Sequence, residues 1–262
     1  NSTTQVWGIT NPQKIYSLNT TKSGNSVLFR NDYTGLRNYV AWNENATLPS
    51  PSYVGTIANQ NIHALPTPEM VIFAPNEWID QANRLADIHR NSPDSLKVEV
   101  FSDEAVYNEF SSGTPDINAY RKLLKMFWDR GESEGTPLKY ALMFGRGSFD
   151  NQHLTNEMKS SNYVTLPLWE TDKGLDDNES FCSDDILAFL KDNSGSNMGT
   201  DHYCIGVGRI PARTANEAKN AVDKIATYIN NSTKSEWKNQ MLVVADDMDN
   251  GVHMEQAEEM IN

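Results

Sequence analysis

Two glycine-punctuated runs are the first residues to weigh for chemistry. They are Phe144-Gly145-Arg146-Gly147-Ser148-Phe149-Asp150 and Ile205-Gly206-Val207-Gly208-Arg209-Ile210-Pro211, each joined to an apolar stretch. Glycine permits a tight turn and close approach of backbone to a ligand, which is how phosphate and dinucleotide cradles are built. A dinucleotide fingerprint would need a third glycine where Asp150 stands, and no Gly-Lys-Ser/Thr exists to form a P-loop. The first run therefore reads as a turn that packs a long loop. Arg209, in the second, reads as a structural cap on carbonyls or as an anchor for a carboxylate.

Asp246-Asp247-Met248-Asp249-Asn250-Gly251 has the oxygen-rich look of a calcium loop, but Met248 takes a ligand slot and Ala257 replaces the closing Glu of an EF-hand. The acidic run 172–179 is a second oxygen-rich loop; solvated acidic loops account for both. The five histidines, His63, His89, His153, His202 and His253, show no H-E-x-x-H or comparable spacing and read as structural or exposed. A nucleophilic site needs a thiol or hydroxyl, a base and oxyanion donors. Cys182 precedes Ser183-Asp184-Asp185 at a predicted helix start, which can activate a thiol, but the adjacent carboxylates oppose a thiolate. Cys204 lies in an apolar stretch and reads as core. The two cysteines either pair or remain thiols, and with no C-x-x-C a structural zinc site is not expected.

The elements that must position these groups change character near residue 66. Before it, 5–9, 26–30 and 39–42 read as strands separated by turn signals such as Asn11-Pro12 and Ser23-Gly24-Asn25. After Pro66 and Pro68, strands and helices alternate. Met70 to Ala74 is an apolar run of the kind found in a strand covered on both faces. Asn76 reads as the cap of a helix over 78–89, with Trp78, Ala82, Leu85 and Ile88 on its inner face. A strand over 98–101, a helix over 104–110 and a helix capped by Asp116 follow, the last with Ile117, Tyr120, Leu124 and Phe127 inward. The next strand is 140–144. Residues 148–180 read as long loops, which in compact domains are often functional. A helix over 184–190, a strand over 203–207, a helix over 215–229 capped by Thr214, a strand over 241–245 and a helix opening near His253 complete the pattern. Such alternation argues for a parallel, helix-covered sheet, with ligands beyond the carboxyl ends of its strands. The strand ends to inspect are 145–150, 206–209 and 246–249.

Composition bounds the function classes. The 262 residues carry 22 Lys+Arg against 35 Asp+Glu, a net charge of −13, which speaks against a nucleic-acid binder working through a basic face. With 38% hydrophobic and 22% charged residues the chain has a folded profile. No run is long and apolar enough to cross a bilayer, and the opening residues lack the basic-then-apolar pattern of a signal peptide. The absence of an initial Met and the interrupted final helix lead to the expectation of a piece trimmed from a longer chain.

Several runs together resemble the gingipain-type (C25) cysteine peptidases, nearest to the type IX secretion sortases of Bacteroidetes. They are Gln60-Asn61-Ile62-His63-Ala64-Leu65, 70–75, 106–113, 144–150, Phe181-Cys182-Ser183-Asp184-Asp185, 205–211, Val222-Asp223-Lys224-Ile225, and 243–247 with His253-Met254. The resemblance covers about residues 55–262. It implies a caspase-like α/β fold, a parallel sheet covered by helices in two side-by-side subdomains. The segments expected are a β-rich part over 1–66, a first α/β subdomain with long loops over 67–180 and the start of a second over 181–262. It also implies a secreted or outer-membrane surface enzyme whose Cys–His dyad cleaves C-terminal sorting signals of secretion cargo. Such an enzyme can pass the acyl group to a lipopolysaccharide acceptor. Its implied partners are those cargo C-termini and outer-membrane secretion components. It requires no cofactor, while the family's acidic loops make structural calcium an expectation without assignable ligands. The family's catalytic His sits in a His-Gly pair, and no His here precedes Gly. Neither Cys182 nor Cys204 matches its nucleophile, so no catalytic residue is assigned and this chain alone is expected to be inactive. Arg146 stands where the family pattern has an acidic residue. In Thr200-Asp201-His202-Tyr203, the resemblance gives Asp201 the role of a substrate contact. A peptidase-like scaffold that has lost its dyad is the alternative.

Overall fold

The protein was analysed as a computed structural model, which describes all residues except 1, 2, 33, 162, 172, 175, 177, 197, 198, 232, 234 and 262. It forms two compact units, Asn1–Ala58 and Asn59–Asn262. The break at 58 precedes the expected one at 66, because Gln60, Ile62 and His63 are tied to Glu109 inside the second unit. Nor does 180 divide the second unit's sheet, since strands from both sides of it pair with one another.

The first unit is all β. Strand β1 (Thr4–Gly8) lies between β2 (Tyr16–Leu18) and β5 (Tyr39–Asn43), both antiparallel to it. Trp7 and Trp42, two positions apart in register on one face of the β1–β5 pair, meet edge-to-face at 5.4 Å. Strands β3 (Thr20–Ser23) and β4 (Ser26–Phe29) make a hairpin whose turn uses Gly24 at φ 60°. Strands β2 and β3 lie outside the three segments that propensity marks. They are short and largely exposed, so they carry little apolar signal.

The second unit is built on a parallel sheet of β6 (Met70–Ala74), β7 (Val98–Ser102), β8 (Tyr140–Phe144) and β11 (Gly206–Ile210), in the order β11-β8-β6-β7. Two two-residue strands, β9 (Trp169–Glu170) and β10 (Cys182–Ser183), pair outside it. Strand β6 is buried throughout, and its alternation feeds two cores. Val71 and Phe73 pack with Tyr120, Leu123, Leu124 and Phe127, while Met70, Ile72 and Ala74 pack with Ala82, Leu85, Ala218 and Val222. The helices supplying these faces are α1 (Ile79–Arg90), α2 (Asp103–Phe110), α3 (Ile117–Glu134) and α5 (Ala215–Asn230). Caps end them as local chemistry requires: the side chains of Ser102, Asp116 and Thr214 accept amide protons at their starts, and Gly135 closes α3 at φ 68°.

Four expectations shift. Asn76 does not cap α1; it sits in a 3-10 turn over Asn76–Trp78 and donates its side-chain amide to Glu104 at 2.8 Å. The helix expected over 184–190 is only a 3-10 turn, Asp185–Ala188. The strand expected over 203–207 is displaced to Gly206–Ile210, because its ladder with β8 begins at Gly206 opposite Tyr140. The run 241–245 pairs with no strand among the described residues, and Met241, Leu242 and Val244 are exposed. The long loop 148–180 holds a one-turn helix, α4 (Asn156–Ser160), and β9. The final helix is α6 (Val252–Ile261).

Candidate functional site

In an open parallel sheet the place to look is beyond the strand carboxyl ends, where the order of strands reverses. Here that point lies between β6 and β8, and it is filled. The Trp78 indole crosses it, donating Nε1–H to the Phe144 carbonyl at 2.9 Å, and is itself 3% exposed. Leu166, fully buried, covers Gly145, where an added Cβ would lie 3.0 Å from its Cγ and 3.5 Å from Pro75 Cδ. A side chain at Gly147 would collide with Leu168. Both glycines therefore let the returning loop pack down, and they cradle no phosphate. Asp150 completes this turn: its carboxylate accepts the Leu154 and Thr155 amides, each at 2.7 Å, and the Thr155 hydroxyl at 2.8 Å. Burial works against the charge, but these donors hold the Asp150 carboxyl below its ordinary range.

Arg209 joins the loops around this filled crevice. Its Nε and Nη2 each lie 2.7 Å from the two oxygens of Asp184, a bidentate pair. Nη1 donates to the Gly145 carbonyl at 2.7 Å and Nη2 to that of Pro167 at 3.2 Å. Both sequence-level readings of Arg209 thus hold at once, with a carboxylate and two carbonyls all from this chain. Arg146, one residue past Gly145, stacks over Tyr163 at 5.7 Å, and Arg213 packs on the same ring at 5.3 Å.

The other predicted positions do not converge on one centre. Asp201 accepts the Gly195 amide at 2.7 Å, holding a loop that Arg121 also grips through the Phe189 and Ser194 carbonyls. Cys182 is exposed on β10 and Cys204 half-buried, and both are unpaired thiols. Burial, reinforced by Glu170, pushes the Cys182 thiol up, the wrong direction for a nucleophile. His153 bonds the Thr165 hydroxyl at 2.8 Å, and His253 pairs with Asp246 at 2.9 Å on an exposed surface. Part of the acidic run 172–179 lies outside the described residues. Among the described ones, no three His, Cys, Asp or Glu side chains gather to hold a metal ion.

The sequence readings missed Glu109. Its carboxylate collects the Ile62 and His63 amides, both at 2.9 Å, the Gln60 side chain at 3.0 Å, and the His63 ring, which stacks on Phe110. Partial burial opposes its charge, yet these donors outweigh it and draw the carboxyl down to about 2. The available signal was the run 60–65, conspicuous for its polar residues just ahead of the first sheet strand.

Residues 63–262 match the peptidase family C25. The chain belongs to peptidase family C25. It is also similar to a solved structure, dimeric latent PorU from Porphyromonas gingivalis, with 27% identity and a TM-score of 0.75 over 99% of this chain. The chain spans 24% of that PorU chain's length. Among curated proteins none matches it. The helix-covered parallel sheet, preceded by antiparallel strands, is thus that of a C25 peptidase of the PorU kind. Among the described residues no helix is long and apolar enough to cross a membrane.

Proposed function

We propose that this chain is a noncatalytic part of a type IX secretion sortase, a cysteine endopeptidase and transpeptidase that removes C-terminal sorting signals from secreted cargo. The supporting observation is the C25 match over residues 63–262 together with the likeness to PorU along nearly the whole chain. In this reading the protein acts at the outer-membrane surface on polypeptide substrates and alongside other secretion components. The chemistry is acyl transfer from a peptide bond to a thiolate and then to water or an acceptor amine. In this reading residues 1–262 supply no dyad: no His precedes Gly, and burial with Glu170 pushes the Cys182 thiol up, away from the thiolate. Their part is to hold the substrate-facing loops, with the Arg209–Asp184 pair as the central tie. Structural calcium, as in other acidic loops of the family, belongs to the proposal without assigned ligands.

Asp201 enters this proposal as a substrate contact. The change Asp201→Asn keeps an oxygen for the Gly195 amide but removes the charge. In the longer product of the gene, a rise in KM without loss of fold is expected of a substrate contact, and unchanged kinetics there would assign Asp201 to loop capping alone.

The decisive test compares residues 1–262 with the longest product of the same gene on a cargo C-terminal peptide, with and without a thiol alkylator. Alkylator-sensitive cleavage by the longer product alone is the expected result. Cleavage by residues 1–262 would overturn the noncatalytic reading, and no cleavage by either would favour a scaffold.

A further inference from the structure

A hollow of about 720 Å³ opens at the amino ends of β6, β7 and β8, the pole opposite the filled crevice. Thr67 walls it just ahead of β6, Lys97 and Glu99 at the start of β7, and Thr136 ahead of β8. Arg90, the last residue of α1, and Glu134, the last of α3, complete the wall.

Four charged groups share this space, two of each sign, and none pairs with another across it. Neither Glu99 nor Glu134 forms an ion pair among the described residues. Lys97 reaches only the Thr136 hydroxyl, at 3.4 Å, and keeps its other ammonium protons free. Arg90 is held rigidly. Its Nε and Nη2 donate to the Val98 carbonyl at 3.2 and 2.6 Å, and Nη1 donates to Asp87, outside the hollow, at 2.8 Å. One proton on each Nη is left over. Opposite charges that line one hollow without meeting leave room for a molecule that carries both.

A second observation comes from the hollow's own wall. Thr67 is 3% exposed, and its Oγ1 has no hydrogen-bond partner among the described residues. A buried hydroxyl without a partner is costly, and a polar ligand atom entering the hollow relieves it.

We propose that this hollow binds a small zwitterionic peptide, with its terminal ammonium and carboxylate both free. The ligand carboxylate meets Lys97 and the spare Arg90 protons, and its ammonium meets Glu99 and Glu134. The carbonyl ends of α1 and α3 add to the attraction for the ammonium. Thr67 donates to a ligand oxygen, and Pro66, Pro68 and Val98 supply an apolar wall for its side chains. The inference goes beyond the peptidase reading and stands without it, since the hollow lies away from the strand carboxyl ends.

The experiment titrates residues 1–262 with leucyl-leucine, read by amide chemical shifts. N-acetyl-leucyl-leucine and leucyl-leucinamide, each with one terminal charge removed, are the controls. Saturable shifts at 67, 97–99 and 134–136 are expected, with each blocked peptide about tenfold weaker. Lys97→Met, at an exposed position, should lose about fivefold in affinity. Thr67→Val keeps the shape and removes the unpartnered hydroxyl. It should weaken binding about threefold while leaving the free chain at least as stable, a combination that a purely structural hydroxyl does not give. Free and blocked peptides that bind alike, shifts that do not saturate, or a Lys97→Met variant that binds like the unaltered chain would overturn the proposal. If a variant fails to fold, the comparison of free and blocked peptides on the unaltered chain still decides.

Discussion

Met70–Ala74 and the run 241–245 have closely similar apolar sequences, Met-Val-Ile-Phe-Ala and Met-Leu-Val-Val-Ala. In the first, every residue is buried, pairing with β7 on one side and β8 on the other. In the second, Met241, Leu242 and Val244 are 80%, 87% and 84% exposed, with no ladder partner among the described residues. The difference is one of neighbours. A strand's amides and carbonyls need flanking strands, and its side chains need helices above and below. Strand β6 has both, so the same kind of run becomes the centre of a sheet in one place and an open segment in the other.

The sharpest way to break this comparison is at its buried pole. Phe73 is fully buried, stacking edge-on with Tyr120 at 4.7 Å between β6 and α3. Phe73→Ala is expected to cost about 3–5 kcal/mol, the range for an aromatic cavity in a close-packed core. Urea unfolding of residues 1–262 measures it. A loss below about 1 kcal/mol would mean that the β6 core is far looser than its burial implies.

This contrast also marks how much was legible in the sequence. The alternation of strands and helices from 70 to 144 could be read because each element carries its own signal: Met70–Ala74 its run, Asp116 its cap, Leu124 and Phe127 their spacing. What could not be read depends on partners distant in the chain. Gly206–Ile210 is displaced from its apolar centre because its register follows Tyr140–Phe144, and 241–245 has the composition of a strand without the neighbours. The candidate site was legible only as places to look. Arg209 was visible as a charged residue at a strand end, but Asp184 lies 25 positions away and nothing local links them. Glu109 was passed over for the same reason, its donors lying 46 to 49 positions earlier.

The tie that holds the loops comes next in size. Arg209 and Asp184 keep 12% and 19% of their side-chain surface, so solvent only partly screens them. Arg209→Gln strands the Asp184 carboxylate and two carbonyls. The expected loss is about 2–3 kcal/mol, somewhat less than for a fully buried pair broken on one side. Hydrogen exchange should rise in 145–168 and 183–189 before it rises in β6. Uniform acceleration across the sheet would instead place Arg209 in the global core.

A smaller effect belongs to the latch at 60–64. Glu109→Gln removes the charge that four donors share and should cost about 1–2 kcal/mol once solvent screening is counted. The sign of the pH dependence follows from the lowered carboxyl. The stabilisation is complete above the ordinary Glu value near 4.5 and is lost as pH falls toward about 2. The unaltered chain should therefore lose stability over that window more steeply than the variant. Parallel pH curves would show that the Glu109 contacts do not persist in solution.

The smallest effect tests the exposed pole of the comparison. Leu242→Ser replaces an apolar side chain that is 87% exposed, so little burial is lost on folding. Surface changes of this kind stay within about 0.5 kcal/mol, and the same urea transition as for Phe73→Ala should be nearly unmoved. A loss above about 1 kcal/mol would require Leu242 to be covered in solution, by this chain or by another copy of it. Repeating the unfolding at two protein concentrations separates those cases, since only cover by a second copy makes the transition depend on concentration.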